Sequence, residues 1–310
     1  MSNKTIILCP GQGAQSVGMG QAWFDAFPVA AQTFAAADEA LGFSLTDLCF
    51  RGPAERLNRT DVAQCAIYVT SVACYQALLE SDAVESFDAT AGLSLGEFTA
   101  LHLAGAYDFV EGLRLVRLRG EAMQAAAEAS GGTMVAVTGD VSEEAIDDLC
   151  DRARGGGADD VLVPANFNSP MQVVISGSAA ACERAVGVAS EMGFKPTPLT
   201  VAGAFHSPLM QPAADRLAAA LDAVQWNTPN AAVIANVTAR PHEPDVESIK
   251  ARLVEQLTQP VRWTQSMQWA VANLSADGGR YVELAPGKVL SGLMRRIDRG
   301  TKVENFNEPK

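Results

Sequence analysis

The sequence predicts an α/β protein in which a large domain with a parallel sheet is interrupted by a small α+β subdomain. Strand-like apolar segments alternate with helical segments, and a Gly-x-Ser-x-Gly sequence lies between a strand and a helix. The middle of the chain follows a β-α-β-β-α-β order, the ferredoxin-like pattern, over about 70 residues. We therefore expect a large domain over 1–130 and 204–310 and a ferredoxin-like subdomain over 131–203.

The first part of the large domain is predicted to contain two strands and several helices. Strands are expected at 5–9 and 87–91, with a glycine-rich turn at 11–20 after the first. Helices are expected up to Leu41, from about Asp61 to Glu80, over 97–105 and over 108–130. Strands that alternate with helices favour parallel pairing.

The middle and last parts follow in the same way. In the subdomain, strands are predicted at 133–138, 161–166, 172–176 and 195–201, with a turn at 168–170 and helices at 142–154 and 179–192. In the resumed large domain, helices are predicted at 211–224, 246–257, 264–273 and from Lys288, and strands at 232–236 and 279–284. The polar tail, 301–310, is expected to be loosely held.

The composition excludes several classes of function. Hydrophobic residues make up 48% of the chain, and the net charge is −13, which argues against nucleic acid as the main partner. No apolar run approaches the roughly 20 residues that cross a bilayer, and the apolar N-terminal segment is too short for a signal peptide. The six cysteines form no Cys-x-x-Cys pair and so predict no zinc site. A cytoplasmic protein is expected, without a membrane partner.

Gly92-Leu93-Ser94-Leu95-Gly96 has the spacing of a nucleophile elbow, a sharp turn from a strand into a helix that exposes a serine. The two glycines permit this turn, because a side chain at either position would crowd the crossing of strand and helix. The serine oxygen then lies beside a helix N-terminus, where negative charge is favoured. The large domain is thus predicted to be α/β-hydrolase-like, with Ser94 as its nucleophile.

A nucleophilic serine needs a base, and the chain contains three histidines. His102 lies on the helix that follows Ser94, about 12 Å along its axis, which is too far to accept the proton. His242 lies in Arg240-Pro241-His242-Glu243-Pro244, which we predict to be a solvated loop. By elimination, His206 is the candidate base.

No acid has an obvious position to orient the imidazole of His206. Asp215 is the nearest acid that follows in the chain, and it is equally compatible with a solvated helix position. A backbone carbonyl or an amide side chain could hold the ring instead, because the task is to fix one tautomer. The order of residues therefore departs from the Ser…Asp/Glu…His order of α/β-hydrolases.

The glycine-rich turn after the first strand has two interpretations. A dinucleotide-binding turn would require glycine where this chain has Ser16. The turn could instead direct the backbone N–H of Gln12, together with that of Leu95, at an oxyanion. An ordinary tight turn explains the glycines equally well.

Arg119 lies about 200° around its predicted helix from Arg117, so at least one of the two faces inward. A buried arginine commonly forms a salt bridge. It would equally form a bidentate clamp for a substrate carboxylate.

Six segments in this order closely resemble the malonyl-CoA:acyl carrier protein transacylases of bacterial fatty acid synthesis, and the resemblance extends from about Ile6 to Ile297. The segments are Gly11-Gln12-Gly13-Ala14-Gln15, Gly92-Leu93-Ser94-Leu95-Gly96-Glu97, Arg119-Gly120-Glu121-Ala122-Met123-Gln124, Asn166-Phe167-Asn168-Ser169-Pro170, Phe205-His206-Ser207 and Pro286-Gly287-Lys288-Val289-Leu290.

The resemblance implies a ping-pong transfer. Ser94, activated by His206, would take malonyl from coenzyme A and pass it to the phosphopantetheine thiol of acyl carrier protein. The N–H groups of Gln12 and Leu95 would stabilise the oxyanions, and Arg119 would pair with the malonyl carboxylate. Gln256 would hold the histidine, and Asn168 would have a supporting role. The family also implies a monomer with no bound cofactor.

Two departures from the family pattern bear on function. Leu93 stands where the family usually has histidine, so a hydrogen bond near the site is expected to be absent. Ala204-Phe205 is similar to the malonyl-selecting acyltransferase domains of polyketide synthases, and Phe205 would disfavour branched acyl groups. A stand-alone polyketide acyltransferase is therefore an alternative, as are a serine hydrolase and an inactive scaffold that binds carrier protein. The hydrolase would need an acid beside His206 and would leave Arg119 unexplained.

An acidic chain that binds an acidic carrier protein needs a local basic patch. We expect this patch in the C-terminal helix region. Ordinary solvated arginines on a helix surface would explain the same residues equally well. Its residues would be Lys288, Arg295, Arg296, Arg299 and Lys302.

Overall fold

The computed structural model describes residues 4–157, 160–275 and 278–310. Its helices are α1 (Gln21–Ala26), α2 (Pro28–Leu41), α3 (Leu45–Arg51), α4 (Ala54–Leu57), α5 (Thr60–Glu80), α6 (Leu95–Leu103), α7 (Phe109–Ser130), α8 (Glu143–Ala153), α9 (Ala179–Glu191), α10 (Gln211–Leu221), α11 (Val246–Glu255), α12 (Trp263–Leu274) and α13 (Val289–Ile297). Its strands are β1 (Lys4–Cys9), β2 (Ala89–Gly92), β3 (Thr133–Thr138), β4 (Leu162–Ser169), β5 (Gln172–Gly177), β6 (Lys195–Pro198), β7 (Ala232–Ile234), β8 (Gly279–Leu284) and β9 (Val303–Phe306).

The larger sheet has five parallel strands in the order β7-β2-β1-β8-β9. Strand β1 is apolar on both faces, as a central parallel strand covered by helices on both sides should be. Ile7 and Cys9 face one hydrophobic core, and Ile6 and Leu8 face the other. The predicted parallel α/β sheet is confirmed.

The smaller sheet is antiparallel, with the order β4-β5-β3-β6, and it is built entirely from the inserted segment. This order is that of the split β-α-β pattern, so the predicted α+β subdomain is also confirmed. Helices α8 and α9 cover the sheet through a separate core that includes Val135, Ile146 and Ile175. Ser142 caps α8, because its hydroxyl accepts a hydrogen bond from the N–H of Ala145 at 3.1 Å.

Strand β4 also pairs with the large domain. The N–H of Phe167 donates to the carbonyl of Val261 at 2.9 Å, and the N–H of Val261 donates to the carbonyl of Ala165 at 2.8 Å. Arg262 adds an ion pair to Glu143 of α8 at 3.1 Å. The subdomain is thus joined by backbone hydrogen bonds to the segment between α11 and α12.

Several predicted boundaries were wrong. The turn predicted at 168–170 begins later, because Ser169 still pairs with Gln172 as part of β4. The strand predicted at 195–201 is only four residues long, and helices α10 and α11 end before 224 and 257. The short helices α3 and α4 carry too few apolar repeats to be predicted from periodicity.

The C-terminal tail is held in place, contrary to our expectation. Strand β9 pairs with β8, and Phe306 is buried at the edge of the main core. Trp23 donates from Nε1 to the carbonyl of Asn307 at 3.1 Å. The sequence Val-Glu-Asn-Phe does not alternate apolar and polar residues and is a weak strand signal by itself, so pairing with the edge of β8 supplies the missing stabilisation.

Helix α5 is the one helix among the described residues that is long and apolar enough to cross a membrane. Most of it is buried inside the protein: 83% of its most apolar window lies in the interior. A helix that is apolar on all sides is buried in a large core or in a bilayer, and the packing of α5 fits the core of a soluble protein.

Candidate active site

Ser94 lies in a sharp turn between β2 and α6, with φ 53° and ψ −103°. A Cβ on Gly92 would lie 1.9 Å from the carbonyl carbon of Gly96, and a Cβ on Gly96 would lie 2.1 Å from the carbonyl oxygen of Cys9. Both positions therefore require glycine. The turn thus has the geometry of a nucleophile elbow, and it stores backbone strain at the serine.

His206 lies directly against this serine. Its Nε2 is 2.8 Å from Ser94 Oγ, and its Nδ1 is 2.7 Å from the backbone carbonyl of Gln256. Because a carbonyl can only accept, Nδ1 carries the proton and Nε2 is free to accept the serine proton. Asp215 is exposed and bonds to Gln211 instead. A backbone carbonyl therefore orients the imidazole.

The pKa of His206 is lowered from 6.5 to about 4. Burial is the largest cause, the charge of Arg119 lowers the pKa further, and the hydrogen bond to Gln256 opposes both. His206 is therefore a neutral imidazole at physiological pH. Because the unfolded chain protonates this residue first, its contribution to stability is lost as pH falls from 6.5 towards about 4.

We expect the pH profile of Ser94 acylation to reflect this pKa. The acylation rate should stay nearly constant as pH falls through 6.5 and decline only near pH 4, because His206 must be neutral to accept the proton. Stopped-flow or quenched acylation measured over brief exposures to each pH tests this. An inflection at pH 6.5 would contradict it.

Arg119 contacts the same serine from the interior. Its Nη2 donates to Ser94 Oγ at 3.0 Å and to Gln256 Oε1 at 2.8 Å, and its Nη1 donates to Gln64 Oε1 at 2.8 Å. Burial lowers the pKa of the guanidinium to about 9, so it stays charged at neutral pH. Arg117, by contrast, is partly exposed and pairs with Glu121.

Within the described residues, Arg119 forms no salt bridge. All its hydrogen-bond partners are neutral oxygens, and its Nε has none. The charge of Glu97 raises the pKa of Arg119, but no acid among the described residues bonds to the guanidinium, and a buried charge that is not directly paired is costly. Of the two interpretations of Arg119, the arrangement favours a site for an incoming carboxylate.

The glycine-rich turn packs against the elbow. A Cβ on Gly11 would lie 2.2 Å from the carbonyl oxygen of Leu93, so the two backbones touch. Among the described residues, neither the N–H of Gln12 nor that of Leu95 makes a hydrogen bond. These amides are available to an oxyanion near Ser94.

Ser94 and His206 open into a cavity of about 530 Å³ between the large domain and the subdomain. Gln12, Leu93, Asn168 and Phe205 also line it. Asn168 donates from Nδ2 to Gln172 at 3.2 Å, while its buried Oδ1 has no partner among the described residues. Leu93 gives this wall an apolar surface.

Two residues that sequence reasoning missed hold the backbone of the elbow. Asn236 accepts from the N–H of Ser94 at 2.6 Å and donates to the carbonyl of Gly92 at 2.7 Å. Glu97, buried in the first turn of α6, accepts from the side chain of Gln256 at 2.6 Å. A glutamate directly after a nucleophile elbow was the available signal, but its partners are distant in sequence.

His242 is not in a solvated loop, contrary to our prediction. Its side chain is 2% exposed, and its Nε2 lies 2.7 Å from Glu97 Oε1. The segment around it folds back on β7, where the N–H of His242 donates to the carbonyl of Val233 at 2.8 Å. This pairing turns the histidine inward. His102 packs near Tyr107, whose carbonyl lies 3.0 Å from its Nδ1.

Comparison with known proteins agrees with this geometry. The acyl transferase domain family matches residues 6–302. The chain is 42% identical to malonyl CoA-acyl carrier protein transacylase of Haemophilus influenzae, over 98% of this chain and 96% of the relative.

Two solved structures are similar over nearly the whole chain. The acyl carrier protein S-malonyltransferase of Vibrio cholerae has a TM-score of 0.91 at 42% identity and covers 99% of this chain and 97% of its own. A malonyl-transacylase solved in complex with a type II PKS acyl-carrier protein has a TM-score of 0.92 at 38% identity, covering 99% and 96%. This chain therefore belongs to the acyltransferase family, among the malonyl-CoA:acyl carrier protein transacylases.

Proposed function

We propose that this enzyme transfers the malonyl group of malonyl-CoA to the phosphopantetheine thiol of an acyl carrier protein in fatty acid synthesis. One observation carries the proposal: Ser94 Oγ lies 2.8 Å from a neutral base and 3.0 Å from a buried arginine that forms no salt bridge among the described residues. The first group activates the serine, and the second is suited to the free carboxylate of malonate.

In the first half-reaction, Ser94 Oγ attacks the thioester carbonyl as its proton passes to His206 Nε2. The tetrahedral oxyanion is stabilised by the N–H groups of Gln12 and Leu95. The C–S bond then breaks, and the proton passes from His206 to the coenzyme A thiolate. The product is a malonyl ester of Ser94.

In the second half-reaction, the phosphopantetheine thiol loses its proton to His206 and attacks the ester carbonyl. The same two amides stabilise the second oxyanion, and the ester C–O bond breaks as Ser94 Oγ regains a proton. Throughout, Arg119 holds the malonyl carboxylate, while Asn168 and Phe205 shape the cavity wall. The enzyme needs no bound cofactor, because both substrates carry their own thioester group or thiol.

Intact-mass measurement after incubation with malonyl-CoA tests this proposal. We expect a malonyl adduct that is absent in Ser94→Ala and that disappears when carrier protein with its phosphopantetheine is added. Release of free malonate without carrier protein would indicate a serine hydrolase. Absence of any adduct would indicate an inactive scaffold.

Carrier-protein docking is proposed at a basic cluster on and beside α13. Arg295, Arg296 and Arg299 line an open groove of about 560 Å³, and Lys288 begins the helix. Among the described residues none of these cations, nor Lys302, is paired with an acid. On a chain with a net charge of −13, unpaired cations at one place suit an acidic partner.

Charge reversal tests the docking site. Arg295→Glu together with Arg296→Glu should raise KM for the carrier protein roughly tenfold and leave KM for malonyl-CoA unchanged. Arg51→Glu, at an exposed position paired with Asp47, is the matched control. An unchanged KM for carrier protein in the double variant would exclude this docking site.

The pathway served is a separate question. One similar structure contains a type II PKS acyl-carrier protein, which supports a polyketide acyltransferase as the second candidate. Comparison of kcat/KM for fatty acid and polyketide carrier proteins decides between them. We further propose that the enzyme works as a cytoplasmic monomer, as the resemblance implies, and sedimentation analysis tests the oligomeric state.

A further inference from the structure

Glu97 is the centre of a buried polar network behind the elbow. Its carboxylate is 1% exposed and has three partners: the backbone N–H of Asn236 at 3.1 Å, the side-chain amide of Gln256 at 2.6 Å and the ring of His242 at 2.7 Å. A buried carboxylate stays in place only when its oxygens are satisfied. These donors come from three separate segments, so one carboxylate joins them.

The partners of Glu97 contact every reacting group. Asn236 holds the N–H of Ser94, and Gln256 Nε2 donates to the carbonyl of Ser94 at 3.0 Å. Gln256 also holds Nδ1 of His206 through its own carbonyl and accepts from Arg119 through Oε1. The position of Glu97 therefore affects the serine, the base and the arginine together.

His242 is the outermost member of this network. Among the described residues, its ring is the one side-chain partner of Glu97 Oε1. Its buried Nδ1 has no partner among those residues, so its interaction with Glu97 through Nε2 is its one side-chain hydrogen bond there. It also lines a small surface groove, of about 190 Å³, that shares no lining residue with the Ser94 cavity. The histidine thus contacts Glu97 from outside the residues that line the Ser94 cavity.

We propose that His242 is a positioning residue, which acts through Glu97 to hold Gln256 and Asn236 and so keeps Ser94 aligned with His206. This inference takes malonyl-CoA as the substrate from the proposed function. The alignment of Ser94 with His206 does not depend on which acyl group is transferred. Loss of the N–H donor would leave one carboxylate oxygen unsatisfied and allow Glu97 to shift. The effect should appear in the rate of acylation rather than in the binding of malonyl-CoA.

The test compares His242→Phe, which fills the space without a donor, with His242→Gln, which retains an N–H. In His242→Phe the single-turnover acylation rate should fall between about tenfold and a hundredfold, with KM for malonyl-CoA within about twofold of the unaltered enzyme. His242→Gln should recover most of the rate. His102→Gln, which changes a half-buried histidine outside the network, is the control.

A double-mutant cycle with Glu97→Gln separates positioning from simple destabilisation. If His242 acts through Glu97, adding either His242 substitution to Glu97→Gln should cause little further loss of rate. If the rate losses of the single variants multiply in the double variant, the proposal is overturned. An unchanged acylation rate in His242→Phe would also overturn it, as would a slow acylation rate in His242→Gln with an unchanged melting temperature. If His242→Phe does not fold, His242→Leu, which also lacks an N–H donor, takes its place in the cycle.

The rate of labelling by a fluorophosphonate keeps this test distinct from that of the proposed function. This probe reacts with activated serines and contains no malonyl group. If malonyl-CoA gave no adduct, the proposed transfer would be wrong. The positioning role of His242 would still be supported if fluorophosphonate labelled His242→Phe more slowly than His242→Gln and the unaltered enzyme. Equal fluorophosphonate rates in all variants would overturn the positioning role.

Discussion

Arg119→Ala is expected to lower kcat/KM for malonyl-CoA by roughly a hundredfold or more, because it removes the buried cation that donates to Ser94 Oγ. The kcat/KM for acyl-CoA substrates without a free carboxylate should fall far less, so the preference for malonyl over acetyl should be lost. Steady-state kinetics with both thioesters measures this ratio.

The matched control for Arg119 lies two residues earlier on the same helix. Arg117→Ala removes a partly exposed arginine whose partners are Glu121 and the carbonyl of Leu41, and it should leave the selectivity unchanged. Arg119→Lys keeps the charge without the planar fork and should retain part of the preference. Unchanged selectivity in Arg119→Ala would remove this residue from the proposed substrate site.

His206→Ala is expected to slow Ser94 acylation by roughly a hundredfold to ten-thousandfold, because no second base lies within reach of Oγ in the part of the chain that the structure describes. The other contacts of Oγ in the described residues come from Arg119, which only donates. Rapid-quench measurement of adduct formation gives the acylation rate directly.

His102→Ala is the control for the base, since its ring packs near Tyr107, Tyr68 and Phe109 away from the serine. It should acylate at close to the normal rate if the protein remains folded. A His206→Ala variant that acylates as fast as His102→Ala would show that another group removes the proton. The circular dichroism melt of each variant separates a lost base from a lost fold.

Local sequence identified the elements of the site that are continuous in the chain. Short-range geometry predicts the turn at Ser94 and requires that at least one of Arg117 and Arg119 face inward; in the structure Ser94 lies in such a turn and Arg119 is the buried arginine. The choice of His206 followed from the small number of histidines. The first two inferences depended on residues near one another in sequence, whereas the choice of His206 depended on the histidine content of the whole chain.

The remaining contacts depend on distant segments that meet only in the fold. The carbonyl of Gln256 is chemically the same as any other carbonyl, so its role as the partner of His206 has no side-chain signal. His242 was misjudged because charged and proline neighbours resemble a surface loop, whereas backbone pairing with β7 turns its ring inward. Similarly, the tail becomes strand β9 because β8 offers an unpaired edge.

The backbone bonds between β4 and Val261 have a practical meaning for exchanging substrate-binding parts among related enzymes. Five residues before Val261, the same segment carries Gln256, which holds both His206 and Arg119. If a graft replaced only the inserted subdomain, the new strand at the position of β4 would have to pair with a segment from a different protein. A poor fit between the two would shift this segment and, through Gln256, would displace His206 and Arg119. A successful chimera should therefore transfer residues 256–263 together with the subdomain, as one unit.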